Sequence, residues 1–139
     1  MNIWELIKKY FSRNENWGNP DKVNPTLLMV LYIIRVETGW AISIHEYAYE
    51  LSGHSDKSQH YKGNACDFHF ICNKSLKEQA DKIQQILDKF GFTDLVGWGN
   101  YPLWHNPGFH LDVRGTKARW GYIGDNKATF EEAIKYGNI

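Results

Sequence analysis

Between Ser58 and Asp67 the chain reads Ser-Gln-His-Tyr-Lys-Gly-Asn-Ala-Cys-Asp, which sets the imidazole of His60 and the carboxylate of Asp67 seven residues apart across Gly63. A second pair, His110 and Asp112, lies two residues apart in Phe-His-Leu-Asp-Val-Arg. Neutral imidazole and carboxylate are the ligands of catalytic zinc, where three protein groups hold the ion and water keeps the fourth position. One short extended segment cannot surround a tetrahedral ion, so the ligands must converge from separate elements. His60 from a loop, Asp67 from a strand and His110 from a later strand meet that condition, and Gly63 lets the chain turn between the first two. Taken singly, each is ordinarily a satisfied or solvated polar group. The three together predict a mononuclear site with Zn2+ as its cofactor.

The elements that must position these groups are marked by caps and periodicity. Asn24 as N-cap and Pro25 in the first turn open a helix whose Leu27, Leu31 and Ile34 form a stripe, widened by Val30 and Ile33 and ended by Gly39. Residues 41–45 alternate as a short strand, and the polar segment 50–63 reads as a loop. From Ala65 to Phe70, alternation puts Cys66, Phe68 and Phe70 on one face and Asp67 and His69 on the other. Ser75 and Glu78 form a capping box for a helix carrying Leu76, Ala80, Ile83, Leu87 and Phe90, stopped by Gly91. Thr93–Trp98 reads as a strand, 99–108 as a loop, and Phe109–Val113 as a strand with His110, Asp112 and Arg114 on one face. Thr129 and Glu132 cap a closing helix that ends near Gly137. These elements predict one α+β domain over residues 1–139, a small antiparallel sheet packed against helices around one core.

Composition narrows the function classes. The 16 Lys and Arg balance 16 Asp and Glu, so no net positive charge exists to hold a nucleic acid backbone or an anionic membrane. Cys66 and Cys72 fit neither a CxxC pair nor a four-cysteine zinc module and read as buried thiols. The first residues lack the apolar core and cleavage site of a signal peptide, and no apolar run approaches the roughly 20 residues that span a bilayer. A soluble monomer without a membrane span is expected.

At Ser58-x-His60-x-x-Gly63-x-Ala65-x-Asp67, followed by His110-x-Asp112, the chain resembles the zinc-dependent D-alanyl-D-alanine carboxypeptidase and peptidoglycan endopeptidase family, peptidase family M15. The hedgehog signalling domain shares that fold, and His60-Tyr61-x-Gly63-x-Ala65-x-Asp67 also resembles its zinc motif. The likeness runs from about Phe11 to Tyr122 and takes in Tyr101-Pro102 and Arg119-Trp120. It implies a hedgehog/DD-peptidase-like fold, zinc on His60, Asp67 and His110, and the peptide stem or cross-bridge of bacterial peptidoglycan as substrate. It also implies a bacterial or phage-encoded protein, with a phage lysis enzyme as one form that needs no signal peptide.

Two positions depart from the family pattern. Many members carry an acidic residue three before the last zinc His, where this chain has Pro107, so Asp112 is the expected substitute base and His105 the second candidate. An alignment shifted by two residues would instead make Asp112 the third ligand. Relatives often carry Ser-Gly-x-Arg on the strand ahead of the first motif, whereas this chain reads Ser43-Ile44-His45-Glu46-Tyr47. Endopeptidase action is then favoured over recognition of a free D-alanine carboxylate. Ser58, His54, Tyr101 and Arg114 are the candidate substrate contacts, and Trp98, Tyr101, Trp104 and Trp120 a candidate aromatic wall. The alternatives to a hydrolase are a catalytically inactive zinc-binding module that docks on cell wall or a protein partner, and a metal-free structural domain.

Overall fold

Residues 2–45, 49 and 58–137 are described here from a computed structural model, and its helices start where a side chain satisfies free backbone N–H groups. Helix α1 spans Ile3–Ile7, α2 Pro25–Thr38, α3 Leu76–Phe90 and α4 Phe130–Gly137. Asn24 Oδ1 accepts from Thr26 N at 2.8 Å to start α2, and Ser75 Oγ accepts from Glu78 N at 3.1 Å to start α3. At α4 the box is reciprocal: Thr129 Oγ1 accepts from Glu132 N, and Glu132 Oε1 accepts from Thr129 N. Helices α2 and α3 end on Gly39 and Gly91, both left-handed, as expected. Helix α1, capped by Asn2, was not anticipated, because five residues are too few to show a periodic stripe.

The strands are β1 Ala41–Ile44, β2 Ala65–Ile71, β3 Gly97–Tyr101, β4 Gly108–Asp112, β5 Ala118–Ile123 and β6 Asn126–Ala128. They form one six-stranded sheet in the order β1-β2-β4-β3-β5-β6. The sheet is mixed rather than antiparallel throughout, since β3 and β5 run parallel. It is also larger than expected. β5 and β6 carry no clear alternation in sequence, and the strand expected at Thr93–Trp98 lies instead at Gly97–Tyr101, with part of the expected loop inside it. Gly97 and Gly99 remove the apolar signal from one face of that strand.

One face of the sheet packs on the helices. Phe68, Trp98, Phe109 and Leu111 from the strands meet Leu27, Leu31 and Ile34 from α2 and Ile83 and Leu87 from α3, all buried. Each such side chain contributes about 1.5–3 kcal/mol on burial. The opposite face carries Asp67, His69, His110 and Asp112, so the alternation that fixes the core also sets the polar groups together on the other side. Among the described residues no helix is long and apolar enough to cross a membrane.

Candidate metal centre

Strand pairing, more than side-chain reach, brings the predicted ligands together. β2 and β4 are antiparallel with Asp67 directly opposite His110 and Ala65 opposite Asp112. Across β4, Gly99 lies opposite His110, and Trp120 lies opposite Gly99 on β5. One transverse row therefore reads Asp67, His110, Gly99, Trp120.

His60 reaches the row from a 3-10 turn, Gln59–Lys62, that ends on Gly63. Ser58 Oγ accepts from His60 N at 3.2 Å and caps that turn, so Ser58 shapes the loop. Gly63 has φ +70, and a Cβ there would run into the Lys22 carbonyl. The turn is pinned against the segment leading into α2 by Asn24 N donating to Gly63 O at 2.9 Å and by Asn24 Nδ2 donating to Asn64 Oδ1 at 3.0 Å. Glycine is thus required twice over at this position, by backbone angle and by close approach.

Asp67 Oδ1 lies 3.0 Å from His110 Nδ1 and 3.5 Å from His60 Nε2. The ligand atoms of His60, Asp67 and His110 all lie within 4.8 Å of one another. Bonds of about 2.0–2.1 Å to a tetrahedral ion put neighbouring ligand atoms about 3.3 Å apart. The two separations at Asp67 bracket that value, and two imidazoles with one carboxylate are a donor set suited to a divalent cation. This group of residues can hold a metal ion.

The far side of His110 is equally constrained. His110 Nε2 and Asp112 Oδ2 are 2.7 Å apart, and Arg114 grips the same carboxylate through Nε at 2.8 Å and Nη2 at 2.7 Å. Backbone N–H groups of Gly97 and Arg114 add donors to Asp112 Oδ1, each at 3.3 Å. Asp112 is fully buried. A carboxylate on Nε2 fixes the imidazole so that Nδ1 faces Asp67, the arrangement in which an outer carboxylate orients a metal-bound histidine.

Electrostatics follow from this packing. Burial alone would raise Asp67, but hydrogen bonds from His110 and His60 outweigh it and hold the carboxyl well below the usual range. Burial would likewise lower His110, yet the flanking Asp112 and Asp67 push it up to about 9. Asp112 is also depressed, against its burial, by Arg114 and His110. Without metal, an imidazolium therefore sits between two carboxylates.

The remaining candidates are placed as follows. Asp112, expected as general base or as third ligand in a shifted alignment, lies behind His110 with both oxygens engaged by donors. His105 is exposed in the β3–β4 loop and is not part of the converging group. Arg114, a candidate substrate contact, spends its guanidinium on Asp112 and lies 5.2 Å over the Trp120 ring. His54 falls outside the described residues. The Tyr101 hydroxyl accepts from Trp120 Nε1 at 2.8 Å, and burial pushes it up to about 12. Tyr101 stacks on Trp104 at 4.2 Å and on Tyr122 at 5.7 Å, which forms a ladder of rings on the site's face. Trp98, by contrast, belongs to the opposite, packed face.

Sequence reasoning missed Gly97 and Gly99 as site residues. A Cβ at Gly97 would stand 2.6 Å from Asp112 Oδ2 and from Arg114 Nε, and one at Gly99 would stand 2.6 Å from Trp120 Cε2. The absent side chains let the Asp112–Arg114 pair and the Trp120 indole lie across β3. The signal was the Gly-x-Gly inside a strand, a pattern that marks close approach by another group. His45 Nε2 and His69 Nδ1, 2.6 Å apart beside Asp67, form a further imidazole pair on this face. Burial lowers both pKa values.

No family model, curated protein or solved structure matches this chain. The group of His60, Asp67 and His110 is therefore defined by its geometry alone.

Proposed function

We propose that the chain is a zinc metallopeptidase that hydrolyses a peptide bond in the peptidoglycan stem or cross-bridge. The observation that carries the proposal is the convergence of His60, Asp67 and His110, with an outer carboxylate orienting His110, in the order and spacing that resemble peptidase family M15. Zinc bound there would lower the pKa of a coordinated water toward about 7 and polarise the scissile carbonyl.

The chain's own residues divide the remaining work. Asp112, clamped by Arg114, holds His110 with Nδ1 toward Asp67, where the two would share an ion. The Tyr101 hydroxyl accepts from Trp120 and keeps its own proton, so it is a donor for a substrate carbonyl oxygen. With Asp112 engaged, the His45–His69 pair is the proton acceptor: burial keeps it neutral, and a neutral imidazole can take a proton from water and return it to the leaving amine. Among the described residues no arginine on this face is uncommitted, which favours cleavage within a peptide over removal of a terminal residue.

The test is incubation of zinc-loaded protein with purified sacculi, with and without chelator. New amine groups released only with metal support the proposal, and a zinc-loaded protein that releases none refutes it. A second reading, a zinc-binding module that docks on cell wall without cleaving it, is favoured by one observation: Pro107 stands where relatives carry an acid, and the neighbouring carboxylate is engaged. Retained sacculus binding without hydrolysis, in wild type and in His69→Ala alike, distinguishes it.

A further inference from the structure

We infer that Trp120 is a positioning residue that ties the Tyr101 hydroxyl to the metal centre and fixes the direction in which that hydroxyl donates to the substrate carbonyl oxygen. The role rests on the proposed hydrolysis, in which Tyr101 is the donor.

Three strands build the link. Trp120 on β5 lies opposite Gly99 on β3, and Gly99 lies opposite His110 on β4. Because Gly99 has no side chain, the indole crosses β3 and comes within 5.0 Å of the His110 imidazole, centroid to centroid. The Arg114 guanidinium, which clamps Asp112, lies 5.2 Å from the same indole. A large flat ring seated against both groups has little freedom to turn. Its Nε1–H donates to the Tyr101 hydroxyl oxygen at 2.8 Å.

The consequence falls on the phenol proton. A phenol hydroxyl lies in the plane of its ring, and each of its two in-plane directions takes either an incoming donor or the hydroxyl's own proton. The Tyr101 ring is held in place by stacking on Trp104 at 4.2 Å and on Tyr122 at 5.7 Å. With one direction filled by the indole N–H, the proton takes the other. Burial first, and then the charges of Asp67 and Asp112, push the hydroxyl up to about 12, so the proton stays on it. Phenylalanine at position 120 keeps a ring against His110 but brings no N–H, and the hydroxyl is then free to spread over both directions. What is lost is a donor aimed in advance at developing charge, which lowers turnover rather than substrate binding.

The experiment follows release of amine groups from soluble peptidoglycan fragments by the full chain at saturating zinc. Tyr101→Phe is expected to lower kcat about 100-fold and Trp120→Phe about tenfold, both with KM unchanged. The double variant should fall no further than Tyr101→Phe, because without the hydroxyl the indole N–H has nothing to orient, whereas independent structural losses would multiply. In the 15N-labelled chain the Trp120 indole resonance, identified by its loss in Trp120→Phe, should move when Tyr101 becomes Phe, with no turnover needed. An unchanged kcat in Trp120→Phe, a loss explained by weaker zinc binding, multiplied losses in the double variant, or an unmoved indole resonance would each overturn the role and leave the hydrolysis standing. A zinc-loaded wild type that cleaves nothing refutes the hydrolysis and this role with it.

Discussion

Metal binding should release a proton from His110, which makes affinity a steep function of pH. In the metal-free protein His110 is held up to about 9 by Asp112 and Asp67, so at pH 7 it lies two units below its midpoint and only about one molecule in a hundred offers a lone pair on Nδ1. Displacing that proton costs about 3 kcal/mol, or about 100-fold in affinity relative to pH above 9. Affinity should rise about tenfold per unit between pH 7 and 8.5, and calorimetry in buffers of different ionisation enthalpy should report close to one proton released per ion at pH 7. Asp112→Asn removes one of the two carboxylates that hold the proton, so the rise should level off at a lower pH. A flat affinity between pH 7 and 8.5, with no proton released, would refute the picture of an imidazolium held between two carboxylates.

Stability of the metal-free protein should depend on pH in two directions. Asp67 and Asp112 lie below their ordinary 3.8, so their contribution is present above that pH and fades as pH falls. His110 is raised from 6.5 to about 9, so its contribution is full below 6.5 and fades as pH rises through 9. Thermal melts should place the metal-free optimum between about pH 4 and 6.5, and a midpoint that climbs from pH 6.5 to 9 would contradict this assignment. Arg114→Ala leaves the buried Asp112 without its main partner and should weaken metal binding about 10–100-fold, which chelator competition will measure. Gly99→Ala drives a methyl into the Trp120 indole and should destabilise by about 1–3 kcal/mol in denaturant melts, with Trp120 fluorescence displaced. Ile83→Ala opens a void under the sheet and should cost about 2–5 kcal/mol without altering metal affinity.

The legible parts of the sequence were those whose signals are local. Asn24, Ser75 and Thr129 announce their helices because a cap needs only neighbouring backbone, and Cys66, Phe68 and Phe70 announce β2 because alternation is a property of a few residues. The convergence of His60, Asp67 and His110 was legible because two of them sit on such strands. What escaped notice depends on contacts between distant segments. The parallel pairing of β3 with β5 leaves no local trace, and Trp98-Gly99-Asn100-Tyr101 lacks apolar alternation because Gly99 yields its space to Trp120. The commitment of Asp112 to Arg114 was open to inspection, since the two share a strand face, but whether a carboxylate binds solvent or a guanidinium depends on its burial.

The direct opposition of Asp67 and His110 across β2 and β4 has a consequence for folding. A slip of one residue would send one partner to the wrong side of the sheet, and a slip of two would set Asp67 against Asp112 or Gly108. An ion held by this group would therefore act as a proofreader of alignment: only correctly zipped chains could seize it, and once seized it would penalise every neighbouring misalignment.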